Sequence, residues 1–213
     1  MRASTIFCAL AIVCIISTSV WAIPVYPAPW RGEPGSTYQK WGFGDDTNPA
    51  LPDEFDNDYG TPTATVSLPN PWTVFWIPEH HGHQGVWKVT EYLQLDIPNT
   101  EEGLWKDILL EMIYADGTST DDPWIRYQVP GGPIMTADPP IQTEVLPDGV
   151  YEKSVWYIYL EPNPPSEIIV AMPSFCELYI DEISVDTLCT PEPGTIALFG
   201  LGALTLLRKR RRA

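Results

Sequence analysis

The stretch Lys106-Asp107-Ile108-Leu109-Leu110-Glu111-Met112-Ile113-Tyr114 decides the fold. Counted in twos, Ile108, Leu110, Met112 and Tyr114 fall on one side, the period of a strand with one buried face. Between the chain's apolar ends, the window 99–122 around it is the only proline-free stretch longer than twenty residues. An interior proline removes a backbone donor and costs a helix about 3 kcal/mol, so prolines at this density leave room only for short elements. Similar runs occur at Tyr38 to Phe43, Thr63 to Leu68, Trp72 to Ile77, Tyr92 to Ile97, Val155 to Leu160, Glu167 to Met172 and Leu178 to Val185. Turn clusters separate them: Pro69-Asn70-Pro71, Ala115-Asp116-Gly117, Pro130-Gly131-Gly132-Pro133, Pro147-Asp148-Gly149 and Pro162-Asn163-Pro164-Pro165. About eight strands joined by turns predict an all-β, antiparallel β-sandwich over 37–187, with helices short or absent.

The ends of the chain differ in character from this body. Of the 12 Lys and Arg, Arg2 and the five at 208–212 lie in the ends, so residues 23–193 hold six cations against all 28 acidic residues. An excess of 22 negative charges repels nucleic acid and anionic membrane, and keeps a protein in solution. The 171 residues from 23 to 193 suit one domain. Eight of the nine Trp and all ten Tyr lie there, a composition that builds a core rather than a disordered tail. Residues 23–36 are expected to form a flexible lead-in, with a second loose stretch near 187–193.

At the C-terminus, Pro191-Glu192-Pro193 precedes the uncharged run Thr195 to Leu207, and Arg208-Lys209-Arg210-Arg211-Arg212 follows it. The run partitions into hydrocarbon, whereas five cations do not cross a bilayer cheaply and stay cytoplasmic. At ~1.5 Å per residue a helix over 195–207 covers about 20 Å of a hydrocarbon core roughly 30 Å thick. Snorkelling of the long basic side chains closes part of the difference. The triplet, short glycine-containing apolar helix and terminal basic cluster at 188–213 resemble the PEP-CTERM sorting signal of Gram-negative bacteria. That resemblance implies an inner-membrane precursor, recognition of Pro191, Glu192 and Pro193 by an exosortase that cuts near the triplet, and passage to the cell surface or medium.

The N-terminus points the same way. Arg2 supplies a positive start, Ile6 to Ile16 an uncharged core, and Val20 and Ala22 the small-residue positions before a cut. Residues 1–22 therefore read as a signal peptide for the Sec translocon, cleaved between Ala22 and Ile23.

The segment Leu178-Tyr179-Ile180-Asp181-Glu182-Ile183-Ser184-Val185-Asp186 resembles the terminal strand of jelly-roll domains similar to carbohydrate-binding modules. In those domains the carboxylate matching Asp181 often ligates structural calcium; on sequence alone Asp181 reads first as a solvent-facing strand residue. Tyr38-Gln39-Lys40-Trp41-Gly42-Phe43 through Tyr59-Gly60-Thr61-Pro62 also resembles surface proteins that carry this sorting tail, a likeness that supplies no activity. The loop with Asp45, Asp46, Asp53, Glu54, Asp56, Asn57 and Asp58 offers oxygen ligands for calcium but lacks EF-hand spacing, because Gly60 falls late and no Glu closes it. It reads as a solvated loop. All three histidines lie in Glu79-His80-His81-Gly82-His83, where a transition metal competes with an exposed polar turn as the explanation. The expectation is no cofactor, with structural calcium the one candidate.

Cys176 and Cys189 remain after processing. If one extended strand joins them, at ~3.3 Å per residue they end far beyond the ~7 Å that a disulfide spans. Thiols left unbridged or joined between chains are the expectation, and an intramolecular bond requires the chain to fold back after Val185.

No Gly-x-Ser-x-Gly elbow, His-Glu-x-x-His or phosphate-cradling glycine loop occurs, so the chain reads as non-catalytic. The leading function is a cell-surface or extracellular-matrix protein acting by adhesion or structure. The alternative is a carbohydrate-binding jelly roll that stacks extracellular polysaccharide on exposed aromatics among Trp72, Trp76, Trp87, Trp105, Trp124 and Tyr157.

Overall fold

The computed structural model describes residues 26–69, 75–100, 103–117, 121–128 and 131–190. They form thirteen strands and no helix: β1 Ser36–Trp41, β2 Glu54–Asp56, β3 Thr63–Val66, β4 Trp76–His80, β5 His83–Val89, β6 Leu93–Pro98, β7 Trp105–Asp116, β8 Trp124–Gln128, β9 Ile134–Thr136, β10 Gln142–Val145, β11 Glu152–Leu160, β12 Ser166–Met172 and β13 Leu178–Thr190. One sheet runs β10-β11-β7-β13-β1-β2, with the β4–β5 hairpin joined through β5 to β13. The other runs β3-β6-β12-β8-β9. Every pairing is antiparallel, which makes the body a β-sandwich as its alternation requires.

The alternating face of β7 does what its sequence specifies. Ile108, Leu110, Met112 and Tyr114 point between the sheets and pack with Trp41, Trp87, Trp156, Ile158, Ile169 and Val185. Strand β13 lies along the whole of β7, from Leu178 opposite Asp116 to Thr190 opposite Trp105. A bulge between Ile180 and Glu182 changes its parity, so Leu178 and Ile180 face inward before it, and Ile183 and Val185 after it. Two adjacent polar residues, Asp181 and Glu182, occupy the switch because an extra residue removes one side chain from the alternation.

Three sequence-based boundaries shift. Residues 26–36, expected to be a flexible lead-in, instead cover the outer face of the larger sheet. Ala28 is buried there against Leu109 and Val155, with Tyr26 and Trp30 beside it. Apolar Leu109 and Val155 on an outward face need such a cover. The last strand continues to Thr190, past the expected strand end at Val185 and the expected sandwich end at 187, because β7 supplies a partner for each residue from Glu182 to Thr190. Strands β2, β5, β8, β9 and β10 were not expected. Four of them are five residues or shorter. The expected strand from Trp72 begins in residues outside those described; its visible part is β4.

Removing inner-face volume from the central strand is costly, whereas trimming an edge strand is not. Leu110→Ala, at a fully buried position, should lower unfolding free energy by about 2–5 kcal/mol. Val145→Ala on β10, where the side chain is 58% exposed, should change it by less than about 0.5 kcal/mol. Denaturant melts of the two variants check the contrast.

Candidate functional site

The three histidines sit on the β4–β5 hairpin, where His80 pairs with His83 across a two-residue turn. His81 and Gly82 form that turn with φ of 52° and 88°, the left-handed pair that a tight hairpin demands. His83 bridges two carboxylates: Nδ1 lies 2.8 Å from Asp181 Oδ2 and Nε2 lies 3.0 Å from Asp148 Oδ2. Its ring stacks on Tyr151 at 3.9 Å, and the His80 ring stacks on Tyr179 at 4.2 Å. His80 Nδ1 meets the Tyr151 hydroxyl at 2.9 Å. The hairpin, the Pro147-Asp148-Gly149 turn and the β13 bulge are thus tied together through one imidazole.

Partial burial works against a charged His83, but hydrogen bonds and charge from Asp181 and then Asp148 outweigh it and raise its pKa. His80 goes the other way, lowered by burial and by the neighbouring histidines. Asp181 is half-buried, and that burial lifts its carboxyl above the usual range although His83 opposes the shift. Asp181, read from sequence first as a solvent-facing strand carboxylate with calcium as the alternative, and the histidines, read as an exposed polar turn or a transition-metal loop, therefore meet as partners. Among the described residues no group of three or more His, Cys, Asp and Glu converges as a metal-ligand set.

The acidic loop is held by its own bonds. Asp45 Oδ1 accepts the Thr47 N–H at 2.9 Å, Asp53 Oδ2 accepts the Gly42 N–H at 2.5 Å, and Asn57 Oδ1 accepts the Tyr59 N–H at 3.0 Å. The first and last are local turn contacts of short polar side chains, and the Asp53 bond ties the loop back to the end of β1 eleven residues earlier.

Most of the body's cations are spent internally. Arg31 grips buried Asp186 through two bonds of 2.7 Å while its guanidinium covers the Tyr38 ring at 3.7 Å. Lys40 pairs with Glu182 at 2.8 Å and Lys153 with Glu111 at 2.6 Å. Lys88 pairs with Glu177 and Lys106 with Glu167. Arg126 lies 5.6 Å from the centre of the Trp124 ring. Arg31, Lys40 and Lys153 line one cleft of about 350 Å³ on the outer face of the larger sheet, with Tyr26, Tyr38 and Ser184.

Of the aromatics considered for sugar stacking, Trp87 is buried and Trp76 packs on the core while its Nε1 donates to Phe43 O at 2.9 Å. Trp105 is half-buried, and Tyr157 is half-buried and donates its hydroxyl to Asp107. Trp124 alone among the described candidates is exposed, at 51%. It borders a groove of about 200 Å³ with Asp122, Asp138, Pro139 and Pro140. No row of exposed tryptophans forms among the described residues. Trp72 lies outside them, as do Ala22, Ile23, Pro191, Glu192, Pro193, the apolar run 195–207 and the cations Arg208 to Arg212.

Cys176 and Cys189 form no disulfide: continuous β13 carries one end of the interval away from the other, as the extended-strand distance requires. Sequence reading did not find Asp148, Tyr151 and Tyr179 as partners of the histidines. Their contacts span 65 to 99 residues, and nothing in local sequence reports such pairings.

Residues 190–212 match the PEP-CTERM protein-sorting motif, so the chain carries the signal of an exosortase substrate. No curated protein matches the chain. Among solved structures, it is similar to the mosquito-larvicidal Cry4Aa toxin from Bacillus thuringiensis at a TM-score of 0.27 and 12% identity. That likeness covers 52% of this chain, which spans 22% of the toxin chain.

The histidine bridge makes stability depend on pH. A raised folded-state pKa means that the His83 contribution is complete below its unfolded value near 6.5 and is lost as pH rises through the folded value. The difference in unfolding free energy between the native chain and His83→Gln should therefore be larger at pH 6 than at pH 9. The opposite shift of His80 comes first from burial, which both proteins keep, so chemical denaturation of the pair reads chiefly His83.

Proposed function

We propose that this chain is a non-catalytic protein of the cell surface or extracellular matrix, made as an inner-membrane precursor and released by an exosortase. The sorting motif carries this reading. Its position adds support: the motif match begins at Thr190, the last residue of β13, so sandwich and sorting segment adjoin without a linker. Thr190 O accepts the Leu104 N–H at 3.2 Å, which anchors that junction to the folded body. The body's large negative charge suits an exported, soluble module, and five of its six cations serve internal pairs.

Glu192 is the one charge in the triplet, between its two prolines. Mass spectrometry of the exported form should place its C-terminus near Pro193. Glu192→Ala should slow that cut several-fold, with the sandwich still folded by circular dichroism. An exported form that still ends at Ala213 would make the tail a permanent anchor.

A second reading, binding of a neutral polysaccharide, rests on Trp124. Its exposed ring beside Asp122 and Asp138 combines a stacking plane with hydroxyl acceptors, the pair of features that a sugar uses. A glycan array should then show neutral glycans retained by the native chain and lost at least tenfold by Trp124→Ala. Equal binding by both proteins would remove this reading.

A further inference from the structure

At the end of the sandwich where β13 reaches Thr190, the two inner faces meet through polar side chains. Lys106 on β7 and Glu167 on β12 are fully buried, with Nζ 2.9 Å from Oε2. Asn99, just after β6 and 8% exposed, donates Nδ2 to Glu167 Oε1 at 3.2 Å and to Oε2 at 3.4 Å. One carboxylate thus touches an amine nitrogen and an amide nitrogen together. The Asn99 Oδ1 accepts the Thr100 N–H at 2.8 Å and the S–H of buried Cys189 at 3.3 Å. Nearby Asn163 turns its own Nδ2 to Thr100 O at 3.0 Å, leaving Asn99 as the amide presented to Glu167.

These contacts supply each part of an acyl transfer to an amine: a nucleophile, a proton carrier that reaches both nitrogens, and two donors on the carbonyl oxygen that becomes negative. We propose that Lys106 and Asn99 become joined by an isopeptide bond that the folded chain forms itself, with Glu167 carrying the protons. Glu167 takes a proton from the Lys106 ammonium, and the freed lone pair attacks Asn99 Cγ. The carbonyl π pair moves onto Oδ1, held by Thr100 N–H and Cys189 S–H. Glu167 returns its proton to Nδ2, the Cγ–Nδ2 bond breaks as the Oδ1 pair reforms the carbonyl, and ammonia leaves. The second proton on Nζ passes to Glu167. An ammonium, a carboxylate and a primary amide become a secondary amide, ammonia and a neutral carboxylic acid, so atoms and charge balance and no oxidant takes part.

The reaction replaces a desolvated ion pair with neutral groups, which gives it direction in a dry interior. Burial also raises the Glu167 pKa, in keeping with a carboxyl that ends protonated. Lys106 and Asn99 belong to one folded chain and share the Glu167 carboxylate, which makes the attack unimolecular. The bond would tie the five-stranded sheet, through the end of β6, to β7 in the larger sheet, beside the strand that continues into the sorting tail.

The full-length chain, denatured and digested, tests this directly. Trypsin should fail to cut after Lys106, giving peptide 89–126 one ammonia lighter than its sequence mass. A glutamyl endopeptidase cutting at Glu101 or Glu102, between the linked residues, should leave the two pieces joined. Separate tryptic peptides 89–106 and 107–126 would overturn the bond, and so would an ammonia loss that leaves Lys106 cleavable, which marks a succinimide at Asn99. Glu167→Gln should abolish the joined species while circular dichroism remains that of strand; a bond persisting in that variant would overturn Glu167 as the carrier. Should that variant not fold, Asn99→Asp supplies the second measurement: the pieces stay joined, now lighter by one water, and separate pieces count against the proposal.

Discussion

The pairing of β13 with β7 is the constraint on which the rest of this structure depends. It joins the two longest strands along their full length and places Val185 beside Leu110, Ile183 beside Met112 and Ile180 beside Tyr114. Those side chains form the floor on which the smaller sheet lies. β1 and β5 attach in succession to the other side of β13, and β11 attaches to the other side of β7. Loss of register in this one ladder would turn an apolar face outward in each attached strand, because side chains alternate with a period of two. The bulge at Asp181 shows how tightly that register is held. It spends one residue to change parity and directs the displaced carboxylate to His83.

Strands that alternate and bury one face were legible in the sequence. Lys106 to Tyr114, Glu167 to Met172 and Leu178 to Val185 each carry their pattern locally, and each became a strand that covers its expected range and extends past it, by five residues in β13. The short edge strands were not legible. β9 and β10 are exposed along their whole length, so no alternation marks them, and only hydrogen bonds to β8 and β11 make them strands. β2 is likewise exposed and sits inside the acidic stretch that reads as loop. The packed lead-in at 26–36 was missed for a related reason: what holds it is the pairing of Arg31 with Asp186, 155 residues away. The sorting tail was legible because its physics is one-dimensional: an apolar run, its length and the charge that follows it.

Charge organises the remainder. With so many carboxylates and so few cations, a randomly placed Lys or Arg would be drawn to the surface to relieve repulsion. Here the cations are used where carboxylates come close to a sheet. Arg31 serves Asp186, Lys153 serves Glu111 and Lys106 serves Glu167, and each of these acids is buried or nearly so. Removing such a cation would leave a carboxylate desolvated and unpaired, a far larger loss than breaking an exposed pair. Excess acids are left to the surface, where water and salt screen them.

One end of the interior breaks the apolar rule, and it is the end where the chain departs. Along the inner face of β13 the side chains run Ile183, Val185, Thr187, Cys189, passing from aliphatic to polar towards Thr190. β7 does the same in the opposite direction, from Met112 and Leu110 through Ile108 to Lys106. Thr187 meets Thr37 at 2.9 Å, and Asn99, Glu167 and Lys106 close the layer. An apolar layer here would resist opening only through its area, whereas this one resists through directional bonds between both sheets, each costly to leave unmade in a dry site. The sorting motif begins at Thr190, so this polar layer is the part of the described fold that adjoins it. Polar cross-bracing therefore stands where the sorting segment joins the fold, and the aliphatic core lies behind it.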